Sequence, residues 1–179
     1  VILAENWVFY YLNDGKSTML QKPKIYENLV PFSLAYYVID CSETLNGLEF
    51  DLHVLKFFDP EENEFIIDCI DLGLVASGRS KEEADDSLIG MIDQHLMTLI
   101  HEKIISFLME NEVDHDALKY YHDLKREFYK NKLKELEQTL NHPDEFFKEI
   151  ISEKITEYKL KNKIYMVRKV QEWLIEKAA

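Results

Sequence analysis

Hydrophobic and polar positions alternate most cleanly from Leu48, where Leu48, Phe50, Leu52 and Val54 share one parity and Glu49, Asp51 and His53 the other. Strand side chains point alternately to two faces, so this pattern predicts a strand with one buried and one wet face. Asp59-Pro60-Glu61-Glu62-Asn63 cannot continue it, because proline lacks the ladder donor and the charges resist burial. That stretch predicts the connecting turn. Phe65, Ile67 and Cys69 then alternate with Ile66, Asp68 and Ile70, giving an antiparallel partner, and Gly73 and Gly78 bracket a third short strand over Leu74 to Ser77.

The period changes at Ser80. Ser80-Lys81-Glu82-Glu83 fits a capping box, in which the Ser80 hydroxyl accepts from the N–H of Glu83 and the Glu83 carboxylate reaches back to the N–H of Ser80. A helix is expected from Lys81, with an apolar stripe of Ala84, Leu88, Ile92, Leu96, Leu99, Phe107 and Leu108 at helical spacing. Asp85, Asp86 and Asp93 lie off that stripe. Gly90 marks either close approach of a strand or a tolerated weak point.

Outside this centre the signals are shorter. Trp7 to Leu12 suits a strand, with Asn13-Asp14-Gly15-Lys16 as a turn after it. Pro23 and Pro31 make residues 17–32 read as irregular chain or edge strand, and Leu34 to Cys41, apolar on both parities, as a strand covered on both faces. Leu118, Tyr121, Phe128, Leu133, Leu136 and Leu140 predict a second helix capped by Asp114 or Asp116. Pro143 opens a third, with Phe146, Phe147, Ile150, Ile151, Ile155 and Tyr158 on its stripe. Ile164, Val167, Val170, Trp173 and Leu174 suggest a further helical segment. The expected fold class is therefore α+β: an acidic domain over residues 1–113, an antiparallel sheet with a packed helix, then a helical extension over 114–179 forming a hairpin or small bundle.

Charge sharpens this division. Residues 1–113 hold 7 Lys and Arg against 21 Asp and Glu, a net of -14, while residues 114–179 hold 14 against 13, a net of +1. An acidic domain repels phosphate backbones and attracts basic proteins, which disfavours general nucleic-acid binding. With ten Phe and ten Tyr but only five Gly and four Pro, the chain is too apolar to remain disordered. Cys41 and Cys69 sit in strand-like runs without metal-ligand spacing, as reduced core residues would. No apolar run nears the ~20 residues that cross a bilayer, and the N-terminus lacks the marks of a signal peptide, so a cytoplasmic protein without membrane contact is expected.

The run from Phe57 to Asp68, through Asp71-Leu72-Gly73-Leu74-Val75-Ala76-Ser77-Gly78 to Ser80-Lys81-Glu82-Glu83-Ala84, resembles the HicB-like antitoxin family. In that family an acidic turn joins two strands, an Asp-Leu dipeptide and glycines lead into a third, and Gly-x-(Ser/Thr)-x-Glu-Glu-Ala opens the helix. Gly78, Ser80, Glu82, Glu83 and Ala84 match that last element in order, although Gly73-Leu74-Val75 stands where the family usually has Pro-Gly-Cys. The resemblance covers residues 48–96. It implies a partial ribonuclease-H-like sheet and helix that mask a small basic RNA-cleaving toxin, with Asp85, Asp86 and Asp93 as partner-binding residues. Members often carry a DNA-reading helical or ribbon motif after the helix; the tail shows neither clearly, which leaves DNA binding open.

Other chemistry is weaker. Asp51, Asp68, Asp71, Asp85 and Asp86 are the carboxylates from which a metal-dependent nuclease would be built. Most occupy exposed parity, where a carboxylate is ordinarily a solvated side chain. His115 and His122 lie two helical turns apart, too far for one metal, and His53 and His142 are isolated. Neither a nucleophile elbow nor a phosphate loop is present. Lys159, Lys161, Lys163, Arg168 and Lys169, interleaved with Tyr158, Tyr165 and Trp173, read as the wet face of an amphipathic helix balanced by Glu153, Glu157 and Glu172. A non-enzymatic protein-binding module is expected, with no catalytic residue, metal or cofactor, homo-oligomeric through its tail. The alternatives are an orphan homo-oligomeric scaffold and the metal-dependent nuclease.

Overall fold

The computed structural model describes residues 22–40, 49–101, 113–138, 156–158 and 166–175. Strands β1 (Val30–Asp40), β2 (Glu49–Asp59), β3 (Glu64–Cys69) and β4 (Leu74–Gly78) form an antiparallel meander, and α1 (Lys81–His101) follows. Next come α2 (His115–Gln138), β5 (Thr156–Tyr158) and β6 (Met166–Leu174). The strand order is β4-β3-β2-β1-β6-β5 with every pairing antiparallel. The fold is α+β.

The expected order of strands, turns and helix start is observed from Glu49 to His101. β2 and β3 pair from Val54 with Cys69 to Asp59 with Glu64, and β3 and β4 from Phe65 with Gly78 to Cys69 with Leu74. The turns use backbone conformations that favour asparagine and glycine: Asn63 has φ 56° and Gly73 φ 61°. At the start of α1 the Ser80 hydroxyl accepts from the N–H of Glu83 at 3.1 Å. The returning Glu83 carboxylate takes the N–H of Arg79 at 2.8 Å, one residue before the expected donor.

Helices close both faces of the sheet. Ala84, Leu88, Ile92 and Leu96 of α1 pack on Ala35, Tyr37, Ile39, Leu52, Val54, Ile67 and Cys69. On the opposite face Ala117, Tyr120, Tyr121 and Leu124 of α2 cover Leu34, Leu55, Phe57 and Trp173. The expected wet face of β2 is therefore wet only at Glu49 and Asp51; from Val54 to Phe57 every side chain is buried. Asp114 is the α2 cap, its Oδ1 accepting from the N–H groups of Asp116 and Ala117. Gly90 is exposed with nothing within 4 Å of an added Cβ, which settles its role as a tolerated weak point. Gly90→Ala should raise stability by about 0.5–1 kcal/mol, read as a higher urea midpoint at unchanged slope.

Further sequence expectations are corrected. Val30 to Phe32 belong to β1, which lies inside the sheet between β2 and β6, with a bulge at Phe32 that places Pro31 near its end. The segment carrying Val167, Val170, Trp173 and Leu174 is β6, not a helix. Tyr36 pairs with Gln171 and Tyr37 with Lys169, so Val170 is an extra residue. That bulge reverses the parity of β6: Val167 lies against the α1 core, whereas Trp173, six residues on, packs under α2. Three-residue spacing of apolar side chains thus arises in a bulged strand. Tyr158, assigned to the third helix, lies in β5. The strand and turn at Trp7 to Lys16, Cys41, Phe107 and Leu108, the helix over 143–155, Ile164 and the lysines at 159, 161 and 163 lie outside the described residues.

Candidate functional site

Antiparallel connectivity gathers the acidic segments at one end of the sheet. Asp59 pairs with Glu64, and Phe65 with Gly78, so the β2–β3 turn sits beside the end of β4 and the first turn of α1. Glu61, Glu62, Glu82, Glu83 and Asp86 are exposed there, with Asp59 and Glu64 half-buried between them. The Asp59 Oδ1 accepts from the N–H groups of Glu61 and Glu62 at 2.8 and 3.2 Å, which fixes the turn.

Beside the helix start a cleft of about 380 Å³ opens between α1, β6 and the adjoining residues Phe32 and Lys56 of β1 and β2. Phe32 is the aromatic residue of its lining, backed by further rings. Phe32 meets Phe65 edge-on at 5.5 Å, Phe58 lies 5.2 Å from Phe65, and the Lys81 ammonium sits 4.6 Å above the Phe32 ring. Leu174, 63% exposed, closes the side nearest β6.

The floor is ionic. Lys56 shares the parity of Leu52 and Val54, so β2 carries its stem into the core and its ammonium emerges beneath α1. With only 3% of its side chain exposed, it lies 2.7 Å from Asp85 and 2.8 Å from Glu172. Lys169 binds Glu172 at 2.9 Å and approaches Asp85 at 3.8 Å. Hydroxyls of Ser33 and Tyr37 donate to Glu172 at 2.8 Å and to Asp85 at 3.2 Å. Burial alone would raise the Glu172 carboxyl, but Lys56, with hydrogen bonds from Lys169 and Ser33, outweighs it and holds the pKa at about 2. Lys169 and Glu172 share this face because the Val170 bulge lies between them.

The three acidic candidates of α1 have different settings. Asp85 faces the sheet and belongs to the Lys56 pair, Asp86 is exposed on the cleft rim, and Asp93 is half-buried farther along the helix. The carboxylates of the nuclease alternative do not converge. Asp85 lies under α1, while Asp68 accepts a hydrogen bond from Tyr26 and Asp71 pairs with His53 on the α2 side. Asp51 stands four residues along β2 from Leu55, the partner of Asp68, about 13 Å away. Arg168 and Lys169, assigned to a wet helical face, are instead paired: Arg168 with Asp40 and Glu49, Lys169 with Glu172.

A second cluster lies where α2 crosses β2. The His53 Nδ1 is 3.1 Å from Asp71, whose carboxylate also accepts the His53 N–H, and the ring stands 4.9 Å from Tyr121 and 5.5 Å from His122. Partial burial, then the neighbouring His53, lowers the His122 pKa below its ordinary value of 6.5. A base with a depressed folded pKa opposes acid: its neutral form is retained at no cost above about 6.5, and stability falls as pH drops below that value. His122→Asn should flatten the loss of stability between about pH 6.5 and 5, measured by urea unfolding at each pH.

Sequence alone left His53 isolated and did not identify the pairings of Lys56. One signal for the latter was available, a lysine on the buried parity of β2. No protein-family model, curated protein or solved structure matches this chain.

Proposed function

We propose that the protein works by binding another protein, one that is basic, through the acidic end of its sheet. The observation that carries this reading is the charge of residues 49–101, which hold 13 Asp and Glu against 3 Lys and Arg, a net of -10. At the acidic end Glu61, Glu62, Glu82, Glu83 and Asp86 are exposed against Arg79 and Lys81, so negative charge is in excess on that surface. Phe32 and the exposed Leu174 supply apolar area in the adjoining cleft, beside that acidic surface.

The resemblance of residues 57–84 to HicB-like antitoxins makes the partner more specific: a small basic RNA-cleaving toxin whose phosphate-binding surface the acidic end would occupy. The fold that the resemblance implies over this stretch, three antiparallel strands leading into a helix that begins after Ser80, agrees with the observed meander and cap. The reading expects a small basic protein to be encoded beside this chain, and size-exclusion chromatography of the two mixed should show one earlier-eluting complex. Two unshifted peaks would remove the antitoxin reading.

A further inference from the structure

The β4 edge offers a second contact for the same partner. β4 stands at the end of the strand order, and among the described residues none pairs with its outer side. Its sequence, Leu74-Val75-Ala76-Ser77-Gly78, has no charge and no proline, and it pairs with β3 without a bulge. Apart from its short length, β4 itself carries none of the guards that proline, a bulge or a charged side chain would supply. Val75 is 56% exposed on the face away from α1, with Ser77 exposed beside it. On the other face a Cβ added to Gly78 would meet the backbone N of Ala84 at 2.5 Å, so the helix start closes that side. The strand is reached from its edge, the approach an extended chain makes.

Charge selects the occupant. Against Arg79 and Lys81 as the basic residues of this corner, Glu64 precedes the partner of Gly78, the exposed Glu61 and Glu62 lie in the turn before Glu64, and Glu82 and Glu83 sit in the first turn of α1. A second copy of the chain, itself at -13, would set like charges against these. Resting on the reading above, we infer that an extended segment of the basic partner adds to the sheet at β4, its apolar residues beside Val75 and its lysines or arginines toward Glu64 and the exposed carboxylates of the adjoining turn.

Amide exchange at Leu74 to Gly78, followed by NMR, tests this with two short synthetic peptides, one alternating lysine with valine and one glutamate with valine. The lysine peptide should slow the outward-pointing amides of β4 at least about tenfold, the glutamate peptide should leave them unchanged, and Val75→Lys should abolish the protection. No slowing with the lysine peptide, equal slowing by both, or outward amides already protected in the chain alone would overturn the inference. Binding of the gene-neighbour protein that leaves β4 unprotected removes the edge contact and spares the proposed function; absence of any such complex removes both.

Discussion

A Lys56→Met variant is expected to lose about 3–5 kcal/mol of stability, the usual cost of removing one partner from a buried ion pair. Lys56 has 3% of its side chain exposed and is the shared cation of Asp85 and Glu172, whose side chains are 17% and 27% exposed. Without it, two carboxylates face each other under α1 with Lys169 as the remaining cation, which sets the loss toward the lower end of that range. Urea unfolding reads the loss directly. Adding Asp85→Asn and Glu172→Gln should recover most of it, because the amides need no cation beside an apolar side chain. A triple variant as unstable as the single one would mean that the stem packing of Lys56, not charge, supplies the stability. The pH dependence changes in the same direction. With its pKa held at about 2, Glu172 contributes stability above the unfolded value near 4.5 that is lost as pH falls toward 2, and Lys56→Met should weaken that acid dependence.

Reversing charge at the turn should have the largest effect on binding. Glu61 and Glu62 are exposed and donate only backbone N–H groups to Asp59, so Glu61→Lys with Glu62→Lys should leave stability within about 0.5 kcal/mol. Association with a basic partner should nevertheless slow by about 10- to 100-fold at low salt, since rim charges act chiefly on the rate of encounter. Glu49→Lys with Asp51→Lys makes the same change in net charge at the other end of β2, about 33 Å away. Stopped-flow rates for the two pairs separate a local acidic surface from a uniform charge effect. Equal slowing by both would argue against the acidic end as the contact.

The parts of the fold that were legible in the sequence are those whose signals are local. Alternation from Leu48, the charged turn with Pro60, the glycines around β4 and the Ser80–Glu83 box each act within a few residues, and β2, β3, β4 and α1 follow from them. β6 was hidden because the Val170 bulge turns strict alternation into a three-residue spacing that imitates a helix. The wet face assigned to β2 was hidden because α2, 60 residues downstream, covers it. The cleft floor is more remote still. Lys56, Asp85 and Glu172 meet only once β6 has entered the sheet beside β1, so no window of sequence contains the site. The acidic end lies between these cases: its carboxylates were visible, but the antiparallel register is what gathers the turn and the helix start into one surface.

Titration calorimetry between this chain and any small basic protein found encoded beside it, at low and at high salt, probes the acidic contact most directly. Saturable binding that weakens markedly as salt rises, and that Glu61→Lys with Glu62→Lys reduces at least about tenfold, is the expected result. Heat of the same size at both salt concentrations, or affinity untouched by the reversal, would contradict it.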